Sequence, residues 1–392
     1  MRKLLSQTTL GVSLAVFALI LGVSGCAPKD SVSGSSDQVV VGSLLALSGP
    51  DKSFGITQQR GMKIALEEVN AAGGINGKTL KVEFGDTKLT EDLGLQEYKR
   101  LTGDVGVQAI VGITGSGVNL RLVPFAEKDK VVLFDSLATS PKLTKEGGTF
   151  FFRNIASDAY AGVVLSEWAI ERRHKRAALI YNSENSWSTG LKSACEPAYP
   201  DSGGAWANEP IAVLNSTDNF NAAIVSIREQ NPDAVFVCLM GRQAGLFVAQ
   251  AKANGLDIPF YGTDPFSQQE FSDNAKDATN QSFFVLPAEE KDKRYLKFES
   301  EYKKRYGDGA DSIAAKAYDA VHTLAVALRK ADKEGELSGE AIRKALAETE
   351  YDGITGPNAF DSNGDLREAR FDRFTYEGKE RVTAPASTKK AA

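Results

Sequence analysis

Short apolar runs alternate along this chain with segments whose apolar residues recur at helical spacing. Residues 39–47 and 107–113 are nearly continuous apolar runs, the pattern of strands buried on both faces. Between them, residues 58–70 set Met62, Ala65, Leu66 and Val69 on one face of a predicted helix. Residues 71–77 (AAGGING) end that helix, because their glycines accept positive φ. Residues 80–84 alternate as a strand, and 93–101 form a further helix. After 113 come a small turn at 114–117 (TGSG), a helix over 118–129, and an apolar run over 131–134 that ends in the polar loop 136–140. Residues 150–154 close this set as a strand.

The pattern then restarts. Strands are predicted at 177–181, 210–214, 234–239, 259–262 and 282–286, with helices at 188–198, 220–230 and 243–254. Such alternation implies an α/β fold of parallel sheets covered by helices. Two successive sets predict two similar lobes rather than one large sheet. Beyond 287 the chain turns helical (294–306, 313–330, 339–348), and 354–382 reads as a late hairpin or meander.

In open α/β sheets, ligands sit beyond the carboxyl ends of the strands. Helix starts there present unpaired N–H groups that suit an anion. Ser116 and Thr139 follow two strands of the first set, and Asp264 follows a strand of the second. Two hydroxyls and a carboxylate facing each other would suit a zwitterion, with its carboxylate on the first lobe and its ammonium on the second. Taken singly, Ser116 is equally well a helix N-cap, and Asp264 a turn residue.

Other motifs dissolve on inspection. Residues 73–79 (GGINGKT) approach a phosphate-binding loop, but Ala72 stands where glycine is needed, and the segment lies between helix and strand rather than strand and helix. Residues 361–365 (DSNGD) hint at calcium, but the glycine is fourth rather than sixth, and Asp372 stands where the loop needs glutamate. An Asn-Gly turn is expected instead. His174 is expected at a solvated helix end and His322 packed within a helix. No catalytic constellation is visible, so a binding protein is expected rather than an enzyme, with no metal and no cofactor.

Composition narrows this further. A chain of 392 residues with net charge -5 carries no electrostatic footprint for nucleic acid. Arg2 and Lys3 precede the apolar stretch 10–21, and Val23-Ser24-Gly25-Cys26 follows. This is the pattern of a secretory signal over 1–25, and the small residues before Cys26 resemble a bacterial lipobox. Cys26 would carry lipid, 26–38 would be a flexible tether, and 383–392 a disordered tail. Cys195 and Cys238 remain, either paired or separately buried.

The chain resembles the leucine/isoleucine/valine-binding proteins, type I solute-binding subunits of ABC transporters. The matching segments are 42–55 (GSLLALSGPDKSFG), 70–77 (NAAGGING), 111–118 (VGITGSGV), 137–143 (LATSPKL), Phe152-Arg153, 231–235 (NPDAV) and 261–264 (YGTD), in family order. The resemblance covers about 39–382. It implies two Rossmann-like lobes joined by three crossovers: 39–155 with 286–350, and 156–285 with 351–382. By position, Ser116 and Thr139 would hold an amino acid carboxylate, Ala138 would offer a backbone group, and Asp264 would meet the ammonium where relatives carry Glu. Gly115 and Leu137 complete that loop set. Phe54, Trp187 and Met240 stand where relatives carry tyrosine, so the guest's side chain is expected to be apolar or aromatic. Ser188 replaces a usual glycine. The resemblance implies an exported, lipid-anchored, monomeric protein that delivers its guest to a membrane permease. The alternatives are the same fold binding an amide, urea or aromatic acid, or serving as a ligand sensor.

Overall fold

The computed structural model describes residues 37–288 and 291–384. The expected signal sequence, the Cys26 lipidation site, nearly all of the tether and most of the tail lie outside these residues. In chain order the first sheet and its helices are β1 (Gln38–Leu45), α1 (Lys52–Ala71), β2 (Thr79–Asp86), α2 (Glu91–Lys99), β3 (Ala109–Ile113), α3 (Ser116–Asp129), β4 (Val132–Asp135), α4 (Lys142–Glu146) and β5 (Phe151–Arg153). The second set runs α5 (Asp158–Glu171), β6 (Arg176–Asn182), α6 (Ser186–Asp201), β7 (Ala205–Trp206), β8 (Ile211–Val213), α7 (Asn221–Glu229), β9 (Ala234–Cys238), α8 (Gly241–Ala253), β10 (Phe260–Gly262), α9 (Gln269–Ala275) and β11 (Ser282–Pro287). The chain ends in α10 (Lys293–Tyr306), α11 (Ser312–Lys333), α12 (Gly339–Ala347), β12 (Tyr351–Gly353), β13 (Gly356–Asn358), β14 (Phe371–Glu377) and β15 (Glu380–Thr383).

The first sheet is parallel, in the order β2-β1-β3-β4-β5. The second repeats that order as β8-β6-β9-β10-β11, then adds β14 and β15 antiparallel at its far edge. Strands β3, β4 and β9 are buried at every position, which is why they read as unbroken apolar runs. Each sheet has a core on both faces. Val41, Val111 and Phe134 share one with α1 and α11, while Leu44, Ile110 and Leu133 share the other with α3. In the second sheet Val235 and Val237 pack under α8, and Phe236 and Cys238 pack under α5 and α6. Helices α1 and α11 touch at backbone distance: a Cβ on Gly61 would meet the Ala314 carbonyl oxygen at 2.1 Å.

The chain passes between sheets after β5, after β11 and before β14, giving the two-lobed fold its three crossovers. Residues 351–366, expected in the second lobe, pack on the first: Ile354 and Phe360 lie in its core, and Asp319 of α11 accepts from the Ile354 and Thr355 amides at 2.9 and 2.8 Å. The reason is Asp319 itself, a buried acceptor that captures the β12–β13 turn. The 361–365 loop is a turn in which Asp361 accepts from the Asn363 and Asp365 amides. Cys195 and Cys238 are free thiols buried in one core. Among the described residues, no helix is long and apolar enough to cross a membrane.

Candidate functional site

An order of β2-β1-β3 means that the chain leaves β1 and β3 toward opposite faces of the sheet. A crevice opens at that switch point, beyond the strands' carboxyl ends. The second sheet has the same crevice between β6 and β9. The loops after these four strands face one another around a cavity of about 430 Å³. Phe54, Gly115, Ser116 and Leu137 reach it from the first lobe, and Trp187, Met240 and Asp264 from the second.

In the first lobe Gly115 sits at φ 101°, a conformation only glycine adopts without strain, and a Cβ there would meet Leu89 Cδ1 at 2.5 Å. That residue ends β3 and starts α3 in one step, so Ser116 stands at the first helical position beside unpaired helix N–H groups. Ser116 Oγ accepts from the Ser140 amide at 3.2 Å, and its own proton remains for a guest. The 136–140 loop is held from below by Asp135, which accepts from the Leu137 amide at 2.7 Å and from Asn119.

Thr139 and Ala138 are placed differently from the sequence expectation. Thr139 is buried outside the cavity wall, and its Oγ1 donates to Asp158 at 2.7 Å, so this proton is not free for a carboxylate. The Ala138 carbonyl accepts from Arg153 at 3.0 Å, and its amide faces the Asp135 carboxylate.

In the second lobe, Asp264 begins a single helical turn after β10 and accepts from Thr263 Oγ1 at 3.0 Å. Burial pushes its carboxyl up to about 6. Asp158, which the sequence reading missed, lies close behind it at the start of α5. Burial, and then the charge of Asp264, push the Asp158 carboxyl up to about 7. Trp187 Nε1 is buried, faces Asp158, and makes no hydrogen bond of normal geometry among the described residues. The Asp264 and Asp158 carboxyls and the Trp187 N–H stand together on the second lobe's side, where Glu184 and Arg242 also line the cavity. Ser188 has a structural task here: its hydroxyl accepts from the Asn182 amide at 2.7 Å and donates to the Cys238 carbonyl, tying together the ends of β6 and β9.

Between the polar ends lies an apolar wall. Phe54, Leu137 and Ile313 form a small cluster against which Met240 packs from the other lobe. Two of the amides nearby, Asn182 and Gln243, are already engaged as donors. Asn182 donates to Asn215 at 2.9 Å and to Gln243 at 2.8 Å, and Gln243 donates to the Leu214 and Thr217 carbonyls at 2.8 and 3.1 Å. At the lip, Ser53 of α1 donates through its amide to Glu270 at 3.2 Å and through its hydroxyl to Gln268 at 2.8 Å, linking the lobes. Asp51 stands beside Glu270, and burial first, then that charge, raises its carboxyl to about 6.

Residues 38–370 match the family model of the periplasmic binding proteins. The chain belongs to that family. This binding protein is 27% identical over 352 residues to the leucine-, isoleucine-, valine-, threonine- and alanine-binding protein of Pseudomonas aeruginosa, covering 88% of this chain and 91% of the relative. Its fold resembles the branched-chain amino acid transporter substrate-binding protein of Streptococcus pneumoniae, solved with isoleucine, at TM-score 0.80 and 26% identity over 88% of this chain and 97% of that one. It also resembles a Rhodopseudomonas palustris solute-binding protein solved with benzoate, at TM-score 0.78 and 18% identity over 89% of this chain and 96% of the other, a likeness of fold.

Proposed function

We propose that this binding protein captures a free amino acid between its lobes and hands it to the membrane permease of an ABC importer. The observation that carries this is the cavity's polarity. One end has a hydroxyl and helix N–H groups, and the other has Asp264 with Asp158 behind it. Ser116 receives the carboxylate, and Asp264, backed by Asp158, receives the ammonium. Phe54, Leu137, Trp187 and Met240 enclose an apolar side chain, and the nearby Asn182 and Gln243 amide N–H groups are already bound to protein acceptors. The relatives' named ligands, leucine and isoleucine among them, agree with such a guest.

Hydrogen bonds to charged groups contribute about 1.5–3 kcal/mol each, so three give roughly 5–9 kcal/mol if additive. Micromolar affinity corresponds to about 8 kcal/mol. Burial of the side chain must then offset the cost of drawing the lobes together. Contacts from both lobes exist only when the cleft is shut, so the guest selects the closed form. Export and anchoring through a lipid on Cys26 follow from the 1–26 sequence, and mass spectrometry of the mature protein checks this.

Calorimetry against all amino acids, short amides, urea and benzoate tests the reading. Binding of an apolar or aromatic amino acid is expected. A guest without an ammonium, bound equally well by Asp264→Asn, would overturn it. Loss of ligand uptake on deletion separates importer from sensor.

A further inference from the structure

Helix α6 carries a glycine that the helix itself does not favour. Gly190 stands inside α6 and does not reach the cavity. A glycine within a helix is less favourable than alanine, because it loses more backbone freedom on folding. The reason for it lies across the cleft. The three atoms nearest to a Cβ built at 190 all belong to the first lobe. Ser140 Oγ would be overlapped outright, Ser140 Cβ would lie at 3.1 Å and Pro141 Cδ at 3.3 Å.

This obstacle does not turn aside freely. Rotating the Ser140 hydroxyl would remove the first contact, but Ser140 Cβ and the Pro141 ring move only with their backbone. That backbone is pinned: the Ser140 amide donates to Ser116 Oγ at 3.2 Å, and the Ser140 carbonyl accepts from Arg153 at 3.1 Å. The Ser140 hydroxyl is buried and has no hydrogen-bond partner among the described residues, so it meets α6 as bulk rather than as a bond. One turn earlier on the same face of α6, Ser186 also meets the first lobe. Its hydroxyl donates to Glu91 at 3.4 Å, and a Cβ on Gly117 would lie 3.3 Å from it. The lip at Ser53 is drawn together by hydrogen bonds, whereas the seam along α6 is a matter of clearance.

We propose that Gly190 sets the strength of binding without touching the guest: it leaves α6 bare where Ser140 and Pro141 must seat when the lobes close. A side chain at 190 has room in the open form and meets these two residues only in the closed one. It therefore shifts the population toward the open form, and every guest binds more weakly by the same factor. Helix and cleft pull in opposite directions at this position, since alanine strengthens the helix and hinders closure. Size at 190 grades affinity, while the wall around Met240 grades preference. This inference rests on the reading of two lobes that close on a guest, and not on which guest it is.

The test compares the full chain with its Gly190→Ala variant, titrated by calorimetry with L-leucine, L-isoleucine and benzoate. Gly190→Ala is expected to raise Kd roughly tenfold, the effect of one methyl group too many in a packed contact. The ratio of Kd between any two guests is expected to stay as it is in the wild type. The thermal midpoint of the ligand-free variant is expected to rise by about 1–2 °C, through helix propensity. Ser140→Ala removes the nearest obstructing atom, and in the Gly190→Ala background it is expected to recover part of the lost affinity. An unchanged Kd in Gly190→Ala overturns the role of Gly190. So does a weaker Kd joined to a lower ligand-free midpoint or to failure to fold, because the second lobe itself then needs the glycine. A changed ratio between guests overturns it as well, since position 190 would then touch the guest. A double variant whose losses merely add overturns Ser140 as the obstacle. Binding of benzoate alone, with the tenfold loss intact, rejects the amino acid reading and upholds this one. A wild type that binds none of the three rejects the amino acid reading, and a fall in the ligand-free midpoint of Gly190→Ala then overturns this one on its own.

Discussion

The two switch points share a topology and differ in charge. Beyond β1 and β3, glycine at 115 lets a helix begin abruptly, and the crevice presents N–H and O–H groups. Beyond β6 and β9 the equivalent crevice has Trp187 and Met240, and the following loop adds Asp264, with Asp158 behind it. The first side therefore suits an anion through N–H and O–H donors, with Lys88 also on the cavity wall. The second suits a cation by concentrating two carboxyls that burial makes reluctant to ionise. A repeated strand order thus supplies two topologically equivalent crevices, and a few residues at their mouths make them complementary to opposite ends of one small molecule.

The sharpest way to break this contrast is at the cationic-guest side. Asp264→Asn is expected to weaken amino acid binding roughly ten- to a hundredfold, the value of a hydrogen bond between charged groups, read by calorimetry. Asp158→Asn should fall in the same direction by less.

Acid should act next, with two effects of opposite sign. The Asp264 and Asp158 carboxyls lie at about 6 and about 7, above the ordinary range. Their protonated forms are therefore favoured in the folded, ligand-free protein. Their contribution to its stability is fully present below the unfolded value near 3.9 and is lost as pH rises through 6 to 7. Moving from pH 8 to pH 5 should therefore raise this contribution to the thermal midpoint. An ammonium needs the ionised forms, so affinity should fall over the same interval, by roughly tenfold per pH unit for each proton displaced. Affinity that rises on acidification would reverse the assignment of the two ends.

Ser116→Ala is expected to cost roughly tenfold in affinity while leaving the steepness of the pH dependence intact, since it removes a donor and no titrating group. Smallest is the lip. Glu270→Gln should weaken binding several-fold by loosening the link to Ser53, and small-angle scattering of the ligand-free protein should show a larger radius of gyration.

Much of this was legible in the chain. The buried strands announced themselves as apolar runs, and Ser116, Phe54, Trp187, Met240 and Asp264 do meet around one cavity. What escaped was conditioned by contacts distant in sequence. Helix α5 carries apolar residues around most of its circumference, Ala161, Val163, Leu165, Trp168 and Ala169 among them, so no one-sided stripe marks it, and Asp158 at its start went unnoticed. The Thr139 hydroxyl looked available because its acceptor, Asp158, belongs to that missed helix. The Ala138 backbone looked available because the group that occupies its carbonyl, Arg153, meets Asp365, 212 positions away, beneath it. The 351–366 segment was misassigned for the same kind of reason, since its anchor, Asp319, lies in an earlier helix.

The wall formed by Phe54, Leu137, Ile313 and Met240 divides the labour of evolution. Grip resides in hydroxyl, amide and carboxylate groups fixed by buried networks, where most changes are punished. Fit resides in a few apolar contacts, one of them an unbranched thioether that accommodates differently shaped neighbours. A lineage can therefore change its diet by replacing Met240 or Leu137 while keeping both polar ends. Descendants with unlike preferences should then differ first at these positions, and only later at Ser116 or Asp264.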